Sequence, residues 1–270
     1  MRYFSAVVNE DEIKACVLEE PKQILASFHY FKNKVDLLKK CVQNQYTLFI
    51  DSGAFSAENS GGKIDIDEYC KFLLEVRAPY YASLDVIGNA KATRDNYDYM
   101  VQEYGLKPIP TFHMGSRVED LYPLLDKEYI ALGGLVFSSG IMNHCDEVWR
   151  IIIKEAPHLR VHGFGLTNID LMARYPWYSV DSSSFKSCKR FGRQPVLNND
   201  ITFSTLNETE FQAWLNERGY FISKETDNKL KWFVYDYFGA KAYKIYASHL
   251  TETHKLKDFN YLISQTKLFE

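Results

Sequence analysis

Apolar, β-branched and aromatic residues gather along this chain in short runs that recur about every 20 to 30 residues. The runs are Tyr3 to Val8, Ile24 to Tyr30, Thr47 to Phe55, Tyr80 to Val86, Lys107 to His113, Tyr129 to Val136, Arg160 to Leu166 and Trp177 to Asp181. Their length suits strands better than helices. The stretches between them carry a helical period instead. Asp65 to Val76 places Tyr69, Phe72, Leu73 and Val76 on one face. Asn89 to Tyr104, Val118 to Leu125 and Cys145 to Ala156 follow suit, the last with Val148, Ile151 and Ile152 together. Pro79, Gly105, Pro157 and Pro176 stand as helix stops before strands four, five, seven and eight. Eight strands alternating with helices predict the α/β class, as a (β/α)8 TIM barrel with a C-terminal helical extension.

After the eighth strand the character changes. Lys186-Ser187-Cys188-Lys189-Arg190-Phe191-Gly192-Arg193 reads as a basic loop. Beyond Thr205 the pattern is helical, over Glu208 to Glu217, Asn228 to Phe238 and Asp258 to Leu268. The expected division is a barrel over residues 1–204 and C-terminal helices packed on it over 205–270.

Composition narrows this picture. With 46% hydrophobic residues among 270, the chain can bury a sizeable core. A net charge of −3 excludes a strongly basic binder but allows a local basic patch. The five cysteines are scattered, with no CxxC pair, so neither a disulfide framework nor a zinc knuckle is expected. His144 and Cys145 form one metal-like pair without a second, and no metal or other cofactor is expected. No run approaches the roughly 20 apolar residues of a membrane span, and the opening residues lack a signal-peptide core. The expectation is a cytoplasmic enzyme with reduced thiols and no membrane partner.

Barrel chemistry lies at the carboxyl ends of the strands. Those ends offer Asp51-Ser52-Gly53, then Asp85, His113, Gly133-Gly134, His162-Gly163-Phe164-Gly165 and Asp181. Glycines there let a flat ligand approach the backbone, and Phe55 and Phe164 could stack on a ring. Two carboxylates in one mouth are the equipment for breaking a glycosidic bond. Each acid has a plainer reading as a cap on the next helix.

The residues also carry a resemblance. Asp51-Ser52-Gly53-Ala54-Phe55 resembles the DSGGF/Y motif of tRNA-guanine transglycosylases, whose acid is the general acid/base. Ser83-Leu84-Asp85 resembles the family's strand-four acid that reads the guanine edge. Gly133-Gly134-Leu135 resembles its base-contacting GGL segment, and Gly163-Phe164-Gly165 falls at its G-V-G turn. Val180-Asp181 resembles its nucleophilic aspartate, followed there by a basic loop that Lys186, Lys189, Arg190 and Arg193 supply here. Five motifs agree in order across residues 47 to 193. The family's zinc site has no counterpart beyond Cys188, the chain is shorter than the tRNA enzymes, and His113-Met114-Gly115 stands where the family has a glutamine before two glycines. The compact, zinc-free form is more similar to phage-type relatives that exchange guanine in DNA for a 7-deazaguanine, or to a base-excising DNA glycosylase derived from them.

The resemblance implies a glycosylase or transglycosylase with DNA as partner, tRNA less so, and a free nucleobase or 7-deazaguanine as possible second substrate. Asp181 would attack C1′ and Asp51 would move the proton. Ser52, Gly53, Phe55, Asp85, His113, Gly133, Gly134 and His162 to Gly165 would hold the base. Lys186, Lys189, Arg190 and Arg193 would hold phosphates. Two other readings stay open at this point: a barrel enzyme for a small nucleoside or sugar, and a non-catalytic nucleic-acid-binding barrel.

Overall fold

All eight expected strands form, most of them shorter than the apolar runs that announced them. The computed structural model describes residues 1–135, 141–222 and 226–264. In order, the elements are β1 (Arg2–Val7), α1 (Glu10–Cys16), β2 (Gln23–Ser27), α2 (Phe28–Phe31), α3 (Val35–Gln43), β3 (Thr47–Asp51), α4 (Ala54–Asn59), α5 (Ile66–Val76), β4 (Tyr80–Tyr81), α6 (Ala90–Tyr104), β5 (Thr111–His113) and β6 (Tyr129–Gly133). There follow α7 (Ile141–Glu155), β7 (Arg160–Gly163), α8 (Ile169–Arg174), β8 (Ser179–Ser182), α9 (Ser187–Phe191), β9 (Arg193–Leu197), β10 (Phe203–Asn207), α10 (Glu208–Glu217), α11 (Asn228–Leu256) and α12 (Tyr261–Ser264).

β1 to β8 make one parallel sheet in the order β4-β3-β2-β1-β8-β7-β6-β5. The sheet is curled. Phe49 of β3 stacks on His162 of β7 with centroids 4.6 Å apart, although three strands lie between them in the ladder order. The two edges meet at one parallel bridge, Ala82 to Ile109, with Ser83 N–H donating to Ile109 O at 2.9 Å. The expected barrel is thus corrected to a curled sheet that no continuous ladder closes.

Alternation along the strands sorts the core into two layers. Phe4, Leu25, Phe49, Ala82, Ile109 and Ala131 fill the inside of the curl. Ile24, Leu48, Ile50, Leu132, Val161 and Val180 face the surrounding helices. Side chains at the strand ends therefore project into one mouth above a filled interior.

Other departures have local causes. The second run ends at Ser27 because Phe28 to Phe31 turn into a helix. Val118 to Leu125 forms two 3-10 turns rather than a helix; Pro123 stands at the start of the second, where it lacks an N–H to donate. The helix expected over Asn228 to Phe238 runs on to Leu256. Within it Gly239 is a contact point: a Cβ there would lie 2.0 Å from Phe185 O. The hairpin β9–β10 spans the expected boundary at residue 204. Its Val196 shares a cluster with Phe211, Leu215, Tyr235 and Phe238 of the C-terminal helices. Val136, the expected end of strand six, and residues 265–268 of the last expected helix lie outside the described residues.

Candidate active site

Asp51 ends β3, and the chain leaves it in a tight turn. Gly53 adopts φ 77°, and a Cβ there would stand 2.5 Å from Ser27 Oγ, so glycine alone fits. The Gly53 N–H donates to Asp51 Oδ2 at 3.0 Å, and Ser52 Oγ, buried, accepts the Ala54 N–H at 3.3 Å. The plainer reading of Asp51 as a turn-holding acid is thus partly met. Yet burial, then the charges of Asp85 and Asp181, push its carboxyl up to about 7, against the lowering effect of the Gly53 and Ser52 amides. Three carboxyls from β3, β8 and the segment after β4 therefore feel one another in one mouth.

Asp181 is held quite differently. Its Oδ1 accepts the Gly165 N–H at 2.9 Å and lies 3.2 Å from His162 Nε2. His162 Nδ1 is 2.6 Å from Ser179 Oγ, which is 2.5 Å from the Tyr129 hydroxyl. With Asp181 ionised, one proton arrangement satisfies the chain: Tyr129 O–H donates to Ser179, Ser179 O–H to Nδ1, and Nε2–H to the carboxylate. Burial holds the Tyr129 phenol protonated by pushing its pKa up. Both bonds fall on Oδ1, leaving Oδ2 outside them. This corrects two expectations. His162 is fully buried among Phe4, Phe49 and Phe164 and supports Asp181 rather than touching a base. Gly163 packs on Trp177, where a Cβ would come within 3.1 Å, so the space beside it is filled by the core rather than open to a flat ligand. Phe164 is half-buried with its ring edge-on to Phe49. Ser179 and Tyr129 were not singled out in the sequence, although residues 179 and 181 share a strand face by simple alternation.

Opposite, at the seam where the sheet is bridged once, His113 Nε2 lies 3.4 Å from Asp85 Oδ2. Burial lowers the His113 pKa, but the hydrogen bond and charge of Asp85 outweigh it and the net shift is upward. Gly133 makes room for this ring; a Cβ would stand 2.9 Å from His113 Nδ1. Gly134 follows, against Met114. Ser83 Oγ, Asp85 Oδ1 and Thr111 Oγ1 are buried without a hydrogen-bond partner among the described residues. A cavity of about 40 Å³ lined by Ser83, Thr111 and His113 opens behind them. Buried polar atoms are seldom left unpaired, so this seam has unused capacity for a polar ligand. Phe55 is half exposed on α4.

The expected basic loop is a 3-10 turn (Ser184–Lys186) and α9, and it divides into two kinds of cation. Lys186 is buried with its ammonium 2.6 Å from Glu12, also buried, so it is corrected from phosphate contact to structural ion pair. Burial lowers its pKa, opposed by Glu12. Lys189 is engaged by the buried Asp236 at 2.5 Å. Arg190 and Arg193 are exposed. The five cysteines are buried and free, and no cluster of three metal-binding side chains occurs among the described residues. No described helix is long and apolar enough to cross a membrane. No protein-family model matches the chain, and no curated protein matches it.

Proposed function

We propose that the protein cleaves the N-glycosidic bond of a nucleobase flipped out of nucleic acid, most readily DNA, into the mouth of a (β/α)8-type barrel over residues 1–204, with residues 205–270 as its buttress. The reading rests on one observation above others: two carboxyls that share a mouth and are held in different ways. Asp51 is pushed up to about 7 by burial and like charge, whereas Asp181 receives two hydrogen bonds on one oxygen. A carboxyl raised to that range can hold a proton near neutral pH and give it up, as a general acid must.

Asp181 Oδ2 forms a bond to C1′ while the C1′–N bond breaks, and the departing base nitrogen takes the Asp51 proton. A water or an incoming base then attacks C1′, its proton passes to Asp51, and Asp181 is released. Water leaves an abasic site; a base completes an exchange. Asp85 and His113 offer an acceptor and a ring nitrogen to the base edge.

The test is mass spectrometry of small products released from ordinary DNA, base-modified DNA and tRNA, with and without a 7-deazaguanine. A freed base that disappears with Asp181→Ala is the expected result. Base release that persists in that variant, or no release from any polymer, would overturn the reading.

A further inference from the structure

The rim around the acidic mouth pairs flat side chains with unneutralised cations. The connections after β8, β2 and β3 lie along one arc of the sheet, separated only by β1. The first carries Arg190-Phe191-Gly192-Arg193, the second Tyr30-Phe31-Lys32, and the third Phe55. Phe191 is 73% exposed, Phe55 50% and Tyr30 43%. Arg190, Arg193 and Lys32 are exposed, and none has a carboxylate in ion-pair range among the described residues, unlike Lys186 and Lys189 beside them. The second and third connections lean on each other: the space above Gly53 is filled by His29, whose ring meets Tyr30 edge-on at 4.8 Å.

A lone exposed aromatic is ordinary on a protein surface. Here each cation stands within two residues of an exposed ring, on connections that leave the carboxyl ends of β2 and β8, the strand ends where Asp51 and Asp181 also lie. We propose that this arc binds the unpaired nucleotides flanking the target, with bases stacked on Phe191, Tyr30 and Phe55 and phosphates met by Arg190, Arg193 and Lys32. Every base has a π face, so stacking tolerates any sequence, and cations placed between rings follow the backbone. The inference rests on the nucleic-acid reading above and adds to it the form of the strand. The arc also carries acids: Glu58 is exposed, and Asp65 is occupied in capping α5 through the Glu68 N–H. Stacking, more than charge, therefore supplies the affinity. Three phosphate contacts at about −0.7 each give a log K against log salt slope of about −2.

The experiment is fluorescence anisotropy of the full chain with a labelled single-stranded oligonucleotide and with the same sequence as a blunt duplex, over a salt series. Phe191→Ala and Tyr30→Ala are compared with Leu256→Ala, a 90% exposed control at the end of α11. Tighter binding of the single strand, a loss of about tenfold in each aromatic variant and none in the control is the expected result. Arg190→Glu with Arg193→Glu flattens the salt slope by about one to two. Rim variants that bind like the wild type would overturn the track while leaving the active-site reading intact. A wild-type chain that binds neither oligonucleotide would overturn both. Base release from free nucleosides, unaffected by rim changes, would move the site to a small substrate and overturn the track as well.

Discussion

Replacing Asp51 by Asn tests whether its carboxyl is held under strain. The folded protein raises this group from an ordinary 3.8 to about 7, a little over three units. An acid so raised binds its proton more tightly folded than unfolded. Its favourable contribution is complete below the unfolded value and is lost as pH climbs from about 4 to about 7. At about 1.4 kcal/mol per unit, ionised Asp51 costs the fold up to about 4 kcal/mol above pH 7, and about half that once solvent at the half-open mouth is allowed for. Asn has nearly the same shape and keeps an oxygen for the Gly53 N–H. Asp51→Asn is therefore expected to be more stable than wild type by about 2–4 kcal/mol at pH 8.5 and by under about 1 kcal/mol at pH 4. Urea unfolding of both proteins at the two pH values measures this directly. A difference independent of pH, or a less stable Asn variant at pH 8.5, would refute the electrostatic account of the mouth. The same variant should lose base release, so that stability rises as activity falls.

Two further perturbations probe the supports. Lys186→Met strands Glu12 as a buried charge and should cost about 3–5 kcal/mol; adding Glu12→Gln should restore most of it, and a double variant no better than the single would show the pair is not coupled. Ser179→Ala removes the donor to His162 Nδ1. It should lower kcat for base release about tenfold with KM held and shift His162 out of the Nε2–H tautomer in 15N NMR; an unchanged tautomer and rate would mean the chain does not position Asp181.

The strand ends were legible because an apolar run that stops at an acid and a glycine has few other meanings, and Asp51, Asp85 and Asp181 do share a mouth. Depth along a strand was not legible. His162 lies opposite Ser179 in register, one layer below Asp181, and nothing local distinguishes that from a rim position. Charge was visible without its partner: Glu12, which neutralises Lys186, lies 174 residues away. The meeting of the sheet's two edges rests on Ala82 and Ile109, two apolar residues whose single bridge no periodicity foretells.

The division of labour between the two aspartates follows from what surrounds each rather than from either residue. Asp181 sits above a chain of donors that begins at Tyr129 near the opposite end of β6 and runs inside the curled sheet. That chain fixes the His162 ring against the Asp181 carboxyl. Asp51 has only the amides of its own turn to balance burial and two neighbouring carboxyls. In the proposed mechanism Asp51 therefore carries the proton, and Asp181 meets the positive charge developing at C1′. Exchanging the supports should exchange the roles: a cation placed beside Asp51 would lower its pKa and abolish its use as a donor, with Asp181 untouched.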